Sequence, residues 1–278
     1  MIDLNAPIDE VSLAFLDVET TGLRPHLGDR ICEIAILRCE GPDVVDSLQY
    51  LVDPQRPMGS GAYAVHGISD EMLRGALTFE AIVKDVLSLL DGAVLVGHNA
   101  RFDLNFLASE LLRLHRELPP LIALDTWRLA RHCYRLAGYG LGRLAQSLDI
   151  RIGGEAHRAM VDVLLTRAVM QRLIEDLWSR DIRSLGDYLR LQGGAIQWGP
   201  LPNLDIPPLI RDALDGDYYL YVRYRAQSGE ETERLVRPLN VLERNGHLLL
   251  VAHCLLRHAQ RSFRIDRILD AELVESFE

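Results

Sequence analysis

The sequence predicts an α/β domain, a mixed sheet flanked by helices, followed by a small all-β domain. Three observations predict it. Three strand-like runs joined by short connections open the chain. Helix-period and strand-like segments then alternate as far as Trp178. Beyond a Gly/Pro-rich stretch, only strand-like runs recur.

The first runs are Val11–Val18, Arg30–Arg38 and Val44–Val52, punctuated by Gly22, Gly28 and Gly41-Pro42. Short connections between consecutive strands imply an antiparallel meander. Thr78–Leu90 places Phe79, Ile82, Val83, Val86, Leu87 and Leu90 on one helix face. Ala93–Val96 reads as a short buried strand, and Asp103–Leu114 as a helix that stops before Pro119-Pro120. Leu121–Leu124 is another short strand. Thr126–Tyr134, Gly140–Leu148 and Arg158–Trp178 complete the helices. This first domain is expected over residues 8–180, a linker with short helices over 181–217, and the all-β domain over 218–278. Its strands are expected at Tyr218–Ala226, Glu233–Leu242, His247–Cys254 and Ser262–Ile268, with turns at Ser228-Gly229 and Asn245-Gly246, the latter a strong hairpin signal.

With 278 residues and a hydrophobic fraction of 48%, the chain has ample core material. No apolar run approaches the roughly 20 residues that span a bilayer, so no membrane role is expected. The opening MIDLNAPIDE lacks the basic and apolar regions of a signal peptide, which makes a cytoplasmic location the expectation. The four cysteines form no C-x-x-C pair and read as reduced, mostly buried thiols. A net charge of −10 argues against non-specific nucleic-acid binding by the whole surface, but not against a local site. Lys84 is the only lysine, so positive charge is almost all arginine, the residue suited to bidentate phosphate contacts.

Acidic residues cluster in three motifs. Asp17 and Glu19 end the first strand in FLDVETTGL, two apart and therefore on one face. Two carboxylates on a buried strand repel each other, and a divalent cation is a natural compensator, although a solvated strand end reads the same way. Asp103, in GHNARFD, lies near a helix start, where the helix dipole favours a carboxylate on its own account. In HRAMVD, His157 precedes Asp162 by five residues, about 140° apart on a continuous helix. His157 is therefore expected on a segment before the helix and Asp162 on the helix itself.

FLDVETTGL, GHNARFD and HRAMVD, in this order, resemble the DEDDh family of 3′→5′ exonucleases, of which the DNA polymerase III epsilon subunit is a member. The resemblance spans roughly residues 10–178 and includes HGISDEM at 66–72 and LDTWRLAR at 124–131. It implies an RNase H-like fold. It implies that Asp17, Glu19, Asp103 and Asp162 hold two Mg²⁺ or Mn²⁺ ions, which hard oxygen ligands suit. It implies that His157 is the general base toward the attacking water, a role that an imidazole pKa near neutrality fits. Thr20 and Leu23 would contact the terminal nucleotide and His66 would sit near the site. Phe102 matches an apolar position and reads as packing.

The C-terminal segment resembles the WYL domain, a small Sm-like β-barrel. The matching features are Arg234 to Leu239 (R-x-x-x-P-L), Arg261, and the run Phe263 to Ile268. The name-giving Trp-Tyr-Leu stands here as Leu248-Leu249-Leu250, a departure that puts any ligand role of the missing rings in doubt. In that family basic residues bind nucleic acid or a nucleotide-like effector, which makes Arg264 and Arg267 candidates here. From Tyr218 to Arg267 there are nine arginines and five acids, with Tyr218, Tyr219, Tyr221 and Tyr224 nearby. Arginine interleaved with aromatics suits a single-strand platform, and it equally describes a salt-bridged barrel face.

The function expected is metal-dependent 3′→5′ hydrolysis of DNA, single-stranded, releasing nucleoside 5′-monophosphates. The second domain would grip or sense nucleic acid, and a polymerase or repair factor is the expected protein partner. An exoribonuclease is the alternative within the enzyme class, and a non-catalytic nucleic-acid-binding regulator the alternative outside it.

Overall fold

The computed structural model describes residues 2–153, 157–196, 198, 206–215, 218–244 and 247–274. The chain divides into two compact units, Met1–Gly199 and Pro200–Glu278. The segment expected as a linker is shared between them. Its first helix packs in the core of the first unit and its second in the core of the other. The physical reason is apolar spacing: Leu185 and Tyr188 on one helix, Ile210, Ala213 and Leu214 on the other, each need a core to cover them.

In the first unit, β1 (Ser12–Thr20), β2 (Ile31–Glu40) and β3 (Asp43–Asp53) form the expected antiparallel meander. α1 (Ser60–His66) and the two-residue β4 (Leu77–Thr78) follow, neither expected from sequence. Then come α2 (Phe79–Leu90), β5 (Val94–Gly97), α3 (Ala100–Arg113) and β6 (Ala123–Asp125). α4 (Thr126–Cys133), α5 (Leu141–Ser147), α6 (Ala159–Trp178) and α7 (Leu185–Leu191) complete the unit. The sheet order is β4-β3-β2-β1-β5-β6. β5 runs parallel to both β1 and β6, so the sheet is mixed.

Both sheet faces are covered. Ala14, Leu16 and Val18 of β1 join one core with α2 and α3. Leu13 and Phe15 join a second core with α4 to α7. The period-2 alternation of a strand makes this division. It also decides the site, because Asp17 and Glu19 continue the Leu13–Phe15 row toward the face covered by α6.

The second unit opens with α8 (Pro208–Asp215). It then builds β7 (Tyr219–Arg225), β8 (Glu231–Arg244), β9 (His247–Cys254), β10 (Ala259–Arg264) and β11 (Ile268–Val274). The sheet is antiparallel in the order β10-β9-β8-β7-β11. Among the described residues β10 and β11 do not pair, so the expected barrel does not close. The run read as one strand over Ser262–Ile268 is broken. A 3₁₀ turn at Ile265–Arg267 separates β10 from β11, and Arg264 folds back onto Asp266 within it. The expected Asn245-Gly246 turn lies outside the described residues.

Candidate active site

The site forms where β1 ends. One carboxylate oxygen each of Asp17, Glu19 and Asp162 lies within 4.8 Å of the others. Asp162 sits in the first turn of α6, packed over the β1 face that carries Asp17 and Glu19. Asp103 sits in the first turn of α3, only 3% exposed, and its Oδ1 accepts a hydrogen bond from the Val18 N–H at 3.1 Å. Helix N-termini behind Asp103 and Asp162 partly offset their negative charge. The turn leading into α3 is held by Asp125, whose Oδ1 accepts from the Asn99 N–H at 2.9 Å and from the Trp127 N–H at 3.0 Å.

Glu33 was not singled out from the sequence. It is directly opposite Glu19 across the β1–β2 ladder and fully buried. It accepts from Arg158 Nε and Nη2, from Gln49 Nε2 and from the Ala159 N–H. Arg158 is the residue before α6, and His157 precedes it in the left-handed region at φ 58°. His157 is exposed and lies off the helix, as its spacing from Asp162 requires.

The electrostatics follow from that crowding. Burial, then the Asp103, Asp162 and Glu19 charges, push the Asp17 carboxyl well above its ordinary range. Burial, then Asp162 and Glu33, push Glu19 up to about 8. Burial pushes Asp162 up, with His157 pulling the other way. Burial also raises Asp103, against the Val18 N–H bond that favours its charged form. Glu33 behaves oppositely: burial would raise it, but the Arg158, Gln49 and Ala159 bonds together hold it below the ordinary value. Four carboxylates thus resist ionising together, and a hard dication is what would hold them charged.

Thr20 ends β1 next to Glu19, and Thr21 to Leu23 follow it. Thr20 is buried, and its hydroxyl donates to the Gly22 carbonyl at 2.6 Å. Leu23 is 44% exposed. His66, at the end of α1, is buried. Its Nδ1 accepts from the Ile68 N–H at 3.0 Å, so Nε2 carries the proton and donates to the Thr20 carbonyl at 3.1 Å. Both ring nitrogens are therefore taken by backbone, and His66 acts on the site through Thr20. Gly59 holds the other end of α1, its N–H donating to the Thr21 carbonyl at 3.1 Å. Phe102 packs against the α2/α3 core beside Phe106, as expected.

Arg264 and Arg267 lie in the second unit, flanking its 3₁₀ turn. The Arg264 fork is committed to Asp266, at 3.0 Å from Nε and 2.5 Å from Nη2, and Nη2 also lies 3.1 Å from His247 Nδ1.

Residues 14–170 match the family model described as exonuclease, RNase T. The chain belongs to the exonuclease (RNase T) family. Residues 205–273 of this exonuclease-family chain match the WYL domain. It is 35% identical over 187 residues to a DNA polymerase III subunit epsilon-like protein of Rhodobacter capsulatus, covering 66% of this chain and 26% of that protein. It is 34% identical over 177 residues to the 3′-5′ exonuclease DinG of Bacillus subtilis, covering 63% and 19%. A PolC-type DNA polymerase III of Caldanaerobacter subterraneus is 30% identical over 261 residues, covering 90% of this chain and 18% of that one. The chain thus spans about a quarter or less of the length of these relatives. Two solved structures share the fold. Exonuclease X in complex with 5′ overhanging duplex DNA has a TM-score of 0.51 at 24% identity, over 65% of this chain and 99% of that one. The nuclease domain of 3′hExo, a DEDDh family member bound to rAMP, has a TM-score of 0.54 at 17% identity, over 62% and 95%.

Proposed function

We propose that the chain is a divalent-metal-dependent 3′→5′ exonuclease that hydrolyses the terminal phosphodiester of a single DNA strand and releases a nucleoside 5′-monophosphate. The observation that carries this reading is the convergence of Asp17, Glu19 and Asp162 within 4.8 Å, with Asp103 raising the Asp17 carboxyl from beside it. Such a set of oxygen donors fits hard cations, and two Mg²⁺ or Mn²⁺ ions are the cofactor we assign. When bound, such ions supply charge neutralisation at the phosphate and a more acidic water. The chain's own residues do the rest. Asp17, Glu19, Asp103 and Asp162 act as ligands. His157, exposed beside Asp162, accepts the proton of the attacking water. Thr20 and Leu23 seat the terminal nucleotide, with the Thr20 carbonyl fixed by His66.

The second unit is read as a nucleic-acid-gripping or sensing module. Its support is the WYL match and the arginine-rich sheet. Because Arg264 is held by Asp266, Arg267 is the stronger candidate contact of the two. A polymerase or repair factor is the partner we assign, supported by the polymerase III relatives.

The test is degradation of a 5′-labelled strand, single- or double-stranded, DNA or RNA, with Mg²⁺ or Mn²⁺. The wild type is expected to produce a ladder shortened from the 3′ end of DNA, and Asp17→Ala none. A wild type that shortens no member of the panel defeats the reading.

A further inference from the structure

A surface beside the Thr20–Leu23 strip has no part in the reading above. The loop after Leu23 makes a 3₁₀ turn at Pro25–Leu27 and is tied to the strip by Asp29. Asp29 Oδ2 accepts from the Arg24 N–H at 2.9 Å, and Oδ1 accepts from the Thr21 hydroxyl at 3.5 Å. Arg56 Nη1 pairs with the same Oδ1 at 2.8 Å. α3 backs the loop, with Ser109 Oγ donating to the Pro25 carbonyl at 3.4 Å.

Two guanidiniums overlook Gly28, which stands at φ +100° and has no side chain to fill the space above it. Arg56 Nη1 lies 3.7 Å, and Arg113 Nη2 4.0 Å, from where its Cβ would be. Both arginines are exposed. Asp29 pairs with Arg56, and among the described residues no carboxylate pairs with Arg113. An anion above Gly28 would neutralise Arg113 and add an acceptor for the Arg56 guanidinium beside the Asp29 pair. Leu27 adjoins Gly28 and Leu112 adjoins Arg113 in sequence, and with Leu23, which opens the loop, they are 63%, 59% and 44% exposed.

The location matters because a polyanionic strand must approach a cluster of carboxylates on a chain of net charge −10. Local positive charge set apart from those carboxylates offsets that repulsion. Phosphate contacts of this kind position a strand without reading its sequence. Exposed apolar side chains such as Leu27 and Leu112 suit its sugars and bases.

We propose that Arg56 and Arg113 together grip one phosphodiester of the substrate strand above Gly28, on the 5′ side of the nucleotide seated by Thr20 and Leu23. This rests on the nuclease reading for the direction of the strand.

The test uses the full chain in the Asp17→Ala background with Mg²⁺, so that binding is read without cleavage. Fluorescence anisotropy of a labelled single strand is measured across a salt series. Arg56→Gln and Arg113→Ala together are expected to weaken binding several-fold. They should also flatten the slope of log affinity against log salt by about 0.7, the value for one phosphate on a single strand. Arg113→Ala alone, which leaves the Asp29 pair untouched, should move the slope in the same direction. An unchanged slope in both, or a chain that binds no strand, overturns the inference and leaves the patch to a protein partner. Cleavage by the Asp17-containing chain is scored separately. If it cuts while the slopes stay unchanged, this inference alone fails. If it binds with an arginine-dependent slope but cuts nothing, the grip stands and the nuclease reading fails.

Discussion

Arg158 donates to both oxygens of Glu33, from Nη2 to Oε1 at 2.9 Å and from Nε to Oε2 at 3.1 Å, across 125 residues of sequence. The pair joins β2 to the residue before α6. It therefore fixes where His157 leaves the preceding loop and where Asp162 meets β1. Glu33 is fully buried while the Arg158 side chain is 26% exposed, so the two ends are unequal.

Removing the arginine strands a buried carboxylate, whereas neutralising the glutamate leaves a guanidinium that can reach water. Arg158→Ala is expected to cost about 3 kcal/mol, the low end for a broken buried pair. Glu33→Gln should cost about 1 kcal/mol. Combining them should recover part of the loss, a coupling that a double-mutant cycle reads. Thermal melts at pH 7 check this against Arg151→Ala, whose side chain is 90% exposed. If Arg158→Ala melts no lower than that control, the pair does not anchor α6.

The carboxylates that meet at the end of β1 make stability depend on pH. Glu19 is raised from 4.5 to about 8 by burial first and by Asp162 and Glu33 next, and Asp17, Asp103 and Asp162 are raised too. The folded chain holds protons that the unfolded chain releases, so stability is lost as pH rises from about 4.5 toward 8. In a chelator the melting temperature should therefore fall across that window, by several degrees if the combined effect is on the order of a few kcal/mol. Glu33, held below its ordinary value, loses its contribution at the acid end, as pH falls through its folded pKa. Mg²⁺ or Mn²⁺ should flatten the alkaline fall, because ions bound only to the folded state stabilise it. A melting temperature that climbs between pH 5 and 8 without metal would contradict the electrostatics of the cluster.

Much of this was legible in the sequence because periodicity is local. β1 to β3, α2 and α6 each appear within two residues of the segments their apolar spacing implies. The acidic residues were legible from their motifs and strand parity. Glu33 was not: it sits inside an apolar strand, and Arg158, which justifies it, is distant in sequence. α1 escaped because Ser60–His66 is a single short helix with little apolar pattern and is held by Gly59 and His66 bonds to Thr21 and Thr20. β11 escaped because Leu269, Asp270 and Glu272 are exposed and give only a weak alternation.

His157 is expected to affect rate rather than assembly. It is exposed and precedes the anchored Arg158, so His157→Ala should leave the melting temperature within about 0.5 kcal/mol equivalent of wild type. Turnover should fall roughly 10²- to 10⁴-fold, the usual contribution of a general base. Steady-state kinetics with strand binding measured in parallel separates the two. A variant that turns over at the wild-type rate removes His157 from the chemistry.

Gly59 tests whether α1 holds the nucleotide-seating strip. A Cβ built on Gly59 would stand 2.4 Å from the Thr21 carbonyl oxygen, a backbone atom that cannot swing aside. Gly59→Ala must therefore push α1 and the Thr20–Leu23 strip apart, lengthening both the Gly59–Thr21 bond and the His66–Thr20 bond. Overpacking of this kind costs about 1–3 kcal/mol. The strip moves while the carboxylates on β1, α3 and α6 keep their own anchors, so KM should rise more than kcat falls. Ser60→Ala, next to it and exposed, is the control for helix propensity. Equal losses in kcat and KM, or none beyond the control, would mean that the strip is positioned without α1.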